Sequence, residues 1–151
     1  MIPRGSSFHS IAENFFDLLK PNFFKGHDDS KLKFEKKFSS ELKANHAISF
    51  CLARTALYYS LKSLGAKKGE EIIMPPITIK GMLDVINCIG LKPIFVEIDR
   101  DDFLYNSKEL ENSLSPKTKY CLITYLFGTS PKNNKLFKLL QKNKVFIIED
   151  F

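Results

Sequence analysis

The sequence predicts an α/β fold of three layers, helix on sheet on helix, built around a mostly parallel sheet. Three observations carry that expectation. From residue 46 to the end, short apolar runs alternate with segments of helical period, joined by short connections, the pattern of a parallel sheet covered on both faces. Val145-Phe146-Ile147-Ile148 is an unbroken apolar run of branched and aromatic residues, as expected of a strand buried on both faces. Glu149 and Asp150 follow it directly, where the strand would leave the sheet. Ligands of open α/β sheets sit at the carboxyl ends of the strands, so this rim is where chemistry is sought.

The elements follow in order. Residues 8–19 carry apolar side chains at helical spacing and are closed by Pro21, which disfavours helical geometry in the residue before it. Gly26 and Asp28-Asp29-Ser30 form a loop whose acids can cap a helix over roughly 30–44, with Phe34, Phe38 and Leu42 recurring every four residues. The pair Phe23-Phe24 between these helices reads either as core or as an arm docking on a partner chain. His46–Phe50 reads as a short strand. Residues 53–64 form a helix with Ala53, Ala56, Leu57, Leu61 and Leu64 on one face, stopped by Gly65. Glu71–Met74 is a strand ended by Pro75-Pro76, and Thr78 caps a helix running to Ile89, with Met82, Val85, Ile86 and Ile89 inward and Gly90 as its stop. Pro93–Ile98 is the next strand, and Ser107 opens a short helix with acids in its first turn, which suits the helix dipole. Tyr120–Tyr125 is a strand broken by Gly128. Ser130-Pro131 sets proline at a first helical position, ahead of a helix that buries Leu136, Phe137, Leu139 and Leu140. Strand 145–149 closes the series.

The 151 residues suffice for one sizeable core and require no second domain, and a hydrophobic share of 44% is that of a globular chain. No run has the apolar length to span a bilayer, and Met1-Ile-Pro-Arg-Gly-Ser-Ser lacks the apolar stretch of a signal peptide, so a cytoplasmic protein without membrane partners is expected. The net charge of +6 comes from lysines spread along the outer faces of the helices, Lys31, Lys33, Lys36, Lys67, Lys132 and Lys138 among them. No arginine-rich tract or nucleic-acid motif accompanies them, so they read as a solvated surface whose field can gather phosphorylated ligands. Cys51, Cys88 and Cys121 are widely spaced with no CxxC pair, and read as buried reduced thiols. His9, His27 and His46 are scattered near the start, so neither a metal site nor a Ser-His-Asp or Cys-His arrangement can be argued.

Three turns share the carboxyl rim. At Cys51-Leu52-Ala53-Arg54-Thr55 a helix begins, where unpaired N–H groups and the positive dipole end bind phosphate. Small Ala53 lets a ligand approach the backbone, Arg54 can grip an anion with two hydrogen bonds, and Thr55 adds a hydroxyl. The glycine spacing of a P-loop or dinucleotide fold is missing, and on the residues alone an ordinary helix start with an exposed arginine is the better reading. Asp150 can cap a following helix, bind a metal, accept a phosphoryl group or pair with a protonated nitrogen. Pro75-Pro76-Ile77-Thr78-Ile79 reads as a strand stop followed by a helix cap.

In combination these segments resemble a known family. From Phe34-Glu35 to Asp150 the chain is similar to the sugar aminotransferases of the DegT/StrS type, which use pyridoxal 5'-phosphate (PLP) on the fold-type-I aminotransferase architecture. The likeness rests on Met1-Ile-Pro-Arg, residues 34–38 (FEKKF), 53–79, 90–99, 115–120, 125–128 and 146–150, in order and at family spacing. It implies that the helix start at Ala53-Arg54-Thr55 holds the cofactor's phosphate and that Asp150 faces its ring nitrogen. Ile79 lies where the family usually places an aromatic ring against the cofactor. Two departures accompany it. Leu52-Ala53-Arg54 replaces the family's Ser-Gly-Thr, with Arg54 positioned to compensate, and Ile79 forfeits aromatic stacking.

The resemblance implies an N-terminal helical arm over 1–45 and part of a PLP-binding α/β domain over 46–151. It also implies transfer of an amino group, from a donor such as glutamate, to a keto group of a nucleotide-linked sugar by a full-length homodimer, with no nucleic-acid or membrane partner. A sugar dehydratase of the same family, or a non-catalytic module binding a nucleotide or phosphorylated sugar, remains open. The lysine that joins the cofactor in family members lies beyond the position of Asp150, so no lysine here is assigned that role. The chain is expected to be a fragment, inactive alone, with the apolar flank of strand 145–149 exposed and prone to aggregate.

Overall fold

The carboxyl rim is built by four parallel strands, and each element that reaches it can be traced to its local sequence. In this computed structural model the described residues are 28–101, 103–128 and 134–151. The expected helix over 8–19, Pro21, the Phe23-Phe24 pair, Gly26, Ser130-Pro131 and Lys132 lie outside them. The chain divides into two compact units, one ending at Ser49 and one running from Phe50 to Phe151.

In the first unit, helix α1 (Asp28–Glu41) begins at the acid pair as expected and ends about one turn short of residue 44. Phe34 and Phe38 do share a face, with ring centroids 5.6 Å apart. That face is open to solvent, since both rings and Leu42 are exposed. The strand expected at His46–Phe50 does not form. Ile48 is 70% exposed, so no apolar face is gained by pairing the segment. Its backbone is instead pinned locally: the N–H and hydroxyl of Ser49 donate to Glu35 Oε1 at 2.7 and 2.8 Å. Those two bonds, assisted by Lys31, hold the Glu35 carboxyl below its ordinary range.

The second unit is the α/β sandwich. Helix α2 (Ala53–Ser63) ends at Leu64 and turns through Gly65, whose φ of +79° suits glycine. Strand β1 (Glu71–Met74) matches the expected bounds. Helix α3 (Lys80–Ile89) begins two residues after Thr78. Its N-cap is Ile79, with no side-chain bond, so Thr78 is not the cap. Gly90, at φ +84°, stops it as expected. Strand β2 (Lys92–Phe95) is shorter than Pro93–Ile98, because only these four residues lie opposite β1; Ile98 bridges Tyr105 instead. Helix α4 (Ser107–Ser113) opens at Ser107 as expected, with Glu109 in its first turn, and its cap is Asn106, whose side chain accepts from the N–H groups of Lys108 and Glu109 at 3.1 and 3.2 Å. Strand β3 (Thr118–Thr124) leads into a 3-10 turn, Leu126–Gly128. Helix α5 (Lys135–Lys142) and strand β4 (Phe146–Asp150) follow.

The strands lie in the order β2-β1-β3-β4, every pair parallel. Side chains alternate between faces along each strand, and the two cores obey that alternation. Ile72, Met74, Tyr120, Leu122 and Ile148 pack with Leu57 and Leu61 of α2 and Met82 and Ile86 of α3. Ile73, Cys121, Ile123 and Ile147 pack on the other face with Leu110 of α4 and Leu136 and Leu140 of α5. The three-layer arrangement expected from the sequence is present.

Strand β4 is not buried on both faces, whereas its apolar flank is open as expected. It is the sheet's edge among the described residues and is only half-buried, with Phe146 covered on one side by Tyr120 at 6.1 Å between ring centroids. One neighbouring strand cannot bury both flanks of a strand. Cys121 is buried, and its burial pushes the thiol well up, but Cys51 and Cys88 are exposed, against the expectation for all three. Cys51 lies in the connection before α2, and Cys88 sits roughly 200° around α3 from Ile86, on the outer side of the helix. The lysines of the described helices are exposed as expected. Among the described residues no helix is long and apolar enough to cross a membrane, and no cluster of metal-ligating side chains occurs.

Candidate functional site

Alternation along β3 and β4 decides which carboxylate faces which helices. Thr124 and Asp150 are register partners, and their even numbering places them on the sheet face that carries Leu122, Ile148 and α2. Asp150 is half-buried. Its backbone carbonyl accepts the N–H of Tyr125 at 2.8 Å, and Thr124 Oγ1 donates to its Oδ2 at 3.4 Å. Glu149 belongs to the opposite alternation and is engaged there, accepting the hydroxyl of Tyr125. Burial, reinforced by that carboxylate, pushes the Tyr125 phenol well above its ordinary range.

The start of α2 lies on the same face. Leu52 is extended and supplies no side-chain cap, while its carbonyl accepts from Thr55 and Ala56 at 3.0 and 3.2 Å. The N–H groups of Ala53 and Arg54 therefore have no hydrogen-bond partner among the described residues, at the positive end of the helix dipole. The absence of a Ser, Thr, Asp or Asn cap keeps them open.

These two features meet. Ala53, Ala56 and Ser60 of α2, Met82 of α3, Leu122 of β3 and residues 148–150 of β4 line one cavity of about 150 Å³. Its lining brings together a carboxylate whose Oδ1 has no partner among the described residues and a helix start with two free donors. The arrangement suits a ligand carrying a protonated nitrogen at one end and an anionic group at the other.

The remaining expected residues lie nearby but apart. The side chains of Arg54 and Thr55 open into a neighbouring cavity of about 470 Å³ between α2 and α3, together with Tyr58, Tyr59, Asp84 and Cys88. Arg54 lies across Gly81, its Cδ 3.2 Å from where a β-carbon at residue 81 would stand. Asp84 is paired with Lys80 at 2.7 Å, whereas the Arg54 guanidinium has no ion-pair partner among the described residues. Ile79, on the loop from β1 to α3, is 63% exposed and lines neither cavity. Sequence reasoning missed Thr124; the signal that finds it is the two-residue period of β3 read against the register of β4.

Residues 9–151 match the DegT/DnrJ/EryC1/StrS aminotransferase family. Over 118 residues the chain is 29% identical to GDP-perosamine synthase of Escherichia coli O157:H7, covering 78% of this chain and 32% of that protein. Among solved structures it is similar to DesV of S. venezuelae (26% identity, TM-score 0.74, 80% of this chain and 32% of that one). It is also similar to ntda from Bacillus subtilis, solved with bound cofactor PMP (27% identity, TM-score 0.74, 79% of this chain and 27% of that one). The chain spans about a third of the length of the curated relatives it matches.

Proposed function

We propose, given that this chain belongs to the DegT/DnrJ/EryC1/StrS aminotransferase family, that it holds the PLP of an aminotransferase acting on a nucleotide-linked keto sugar. The observation that carries the reading is the shared cavity of Ala53 and Asp150. The residues suit the cofactor. Ala53 and Arg54 present two free amides at a helix N-terminus for the phosphate, and small Ala53 leaves the backbone approachable. The Arg54 guanidinium and the Thr55 hydroxyl open towards α3 rather than into this cavity, and add a cation and a donor beside the same helix start. Asp150 would offer an unengaged carboxylate oxygen to the ring nitrogen, a hydrogen-bond acceptor that favours the protonated form of that nitrogen. Ile79, which lines neither cavity, is assigned to the ring by its position in the family pattern alone. When bound, PLP supplies an electron-withdrawing ring that takes up the charge left when an amine carbon loses its proton.

The substrate class is supported by the name of GDP-perosamine synthase and by the family; a donor such as glutamate, a homodimer and a cytoplasmic site complete the proposal. The test separates phosphate from ring. Arg54→Ala weakens binding of PLP while leaving that of pyridoxal, which lacks the phosphate, unchanged. Equal loss for both compounds overturns the assignment of the helix start.

A further inference from the structure

We infer that Thr124 is a positioning residue for Asp150, fixing which carboxylate oxygen is presented to the ring nitrogen. The inference rests on the PLP reading above and goes one residue beyond it.

The argument begins with register. Thr124 and Asp150 are direct partners on neighbouring parallel strands, so their side chains stand side by side on the face that carries α2. The backbone beneath them is held: the Tyr125 N–H donates to the Asp150 carbonyl at 2.8 Å, which ties the ends of β3 and β4 together. The Thr124 hydroxyl then reaches Oδ2 at 3.4 Å. No other side chain among the described residues bonds to this carboxylate, and Glu149 is turned to the opposite face by its bond to Tyr125. Thr124 is therefore what distinguishes the two oxygens of Asp150: Oδ2 has a donor and Oδ1 does not.

Threonine suits the task better than serine or valine would. Its β-branching restricts χ1 and favours the strand, so the hydroxyl is held at the carboxylate with little rotamer freedom to lose. The bond is longer than the optimum for O–H···O, and contacts of this kind tighten when a ligand draws the carboxylate into place. A neighbour that holds one oxygen and leaves the other open converts a freely turning carboxylate into an oriented acceptor.

The test measures PLP affinity of the full chain and of Thr124→Val, Thr124→Ser and Asp150→Asn, by the change in cofactor absorbance. Each protein is then titrated with 1-deazapyridoxal phosphate, in which carbon replaces the ring nitrogen. Thr124→Val, nearly isosteric but without the hydroxyl, weakens PLP roughly fivefold, the magnitude of one hydrogen bond, while Thr124→Ser retains most of the affinity. Neither variant changes affinity for the deaza compound, because the effect travels through Asp150 to the nitrogen. Thr124→Val with wild-type PLP affinity, or with the same loss for both compounds, overturns the inference. The underlying reading fails separately: if Asp150→Asn binds PLP as well as wild type, Asp150 does not face the nitrogen.

Discussion

Two adjacent carboxylates end β4, and the fold assigns them opposite roles, which a pair of single substitutions can test. Asp150 stands on the α2 face with one oxygen unengaged; Glu149 also borders the cavity, but its carboxylate belongs to the other alternation and accepts the Tyr125 hydroxyl. Replacing Asp150 with Asn keeps the shape and removes the charge. The bond lost is a charge-assisted one, worth about 1.5–3 kcal/mol, which corresponds to a roughly ten- to hundredfold rise in the Kd for PLP. Glu149→Gln removes an equal charge one residue away, yet its Kd stays within about twofold of wild type, because a surface charge a few ångströms further off is largely screened. Both are measured by titrating PLP at neutral pH, with circular dichroism verifying that the fold is kept. Equal losses in the two variants, or a larger loss for Glu149→Gln, refute the two-residue alternation on which the site is built.

Two further outcomes follow from other parts of the unit. Ile79→Phe restores an aromatic ring where the family places one; if Ile79 covers the cofactor, the Kd for PLP falls roughly two- to tenfold, the worth of a ring stacking contact. The same titration checks it, and unchanged affinity places residue 79 away from the ring. Tyr120 supplies a pH test of stability. Burial first, and then the Glu70 carboxylate that its hydroxyl donates to at 3.1 Å, push its phenol from the ordinary 10 up to about 12. The unfolded chain loses this proton near 10 while the folded chain keeps it, so the contribution is whole below pH 10 and is lost as pH rises to about 12. Urea midpoints for Tyr120→Phe therefore fall less steeply with alkaline pH than those of wild type. Parallel slopes contradict the burial of that phenol.

How much of this was legible beforehand depended on whether a feature was local. The apolar run of β1, bounded by Pro75-Pro76, and the stop at Gly90 matched the structure because each is set by residues within a few positions. The three-layer order followed from alternation alone. What failed needed a partner in space. His46–Phe50 has the composition of a strand but no pairing strand among the described residues, and Ser49 turns to Glu35 instead. Thr78 is a good cap residue in the wrong place, because α3 begins only after Ile79. The degree of burial of β4 depends on what lies beside it, which its own residues do not encode.

At the site, the rim position of Asp150 and of the α2 start was readable, since both are ends of periodic segments. The partition of their side chains was not. Ala53 faces Asp150 while Arg54 and Thr55 face α3, a difference set by the rotation of one helix about its axis. The role of Thr124 emerges only once β3 and β4 are in register.

The central claim is that the helix start and Asp150 converge on one phosphate-bearing aromatic molecule. Its most direct test is a titration of the isotopically labelled chain with PLP, followed by the backbone amide resonances of Ala53, Arg54 and Asp150. The account predicts that all three shift along one binding curve with a single dissociation constant. Shifts at one end alone, or two separate dissociation constants for the two ends, would contradict it.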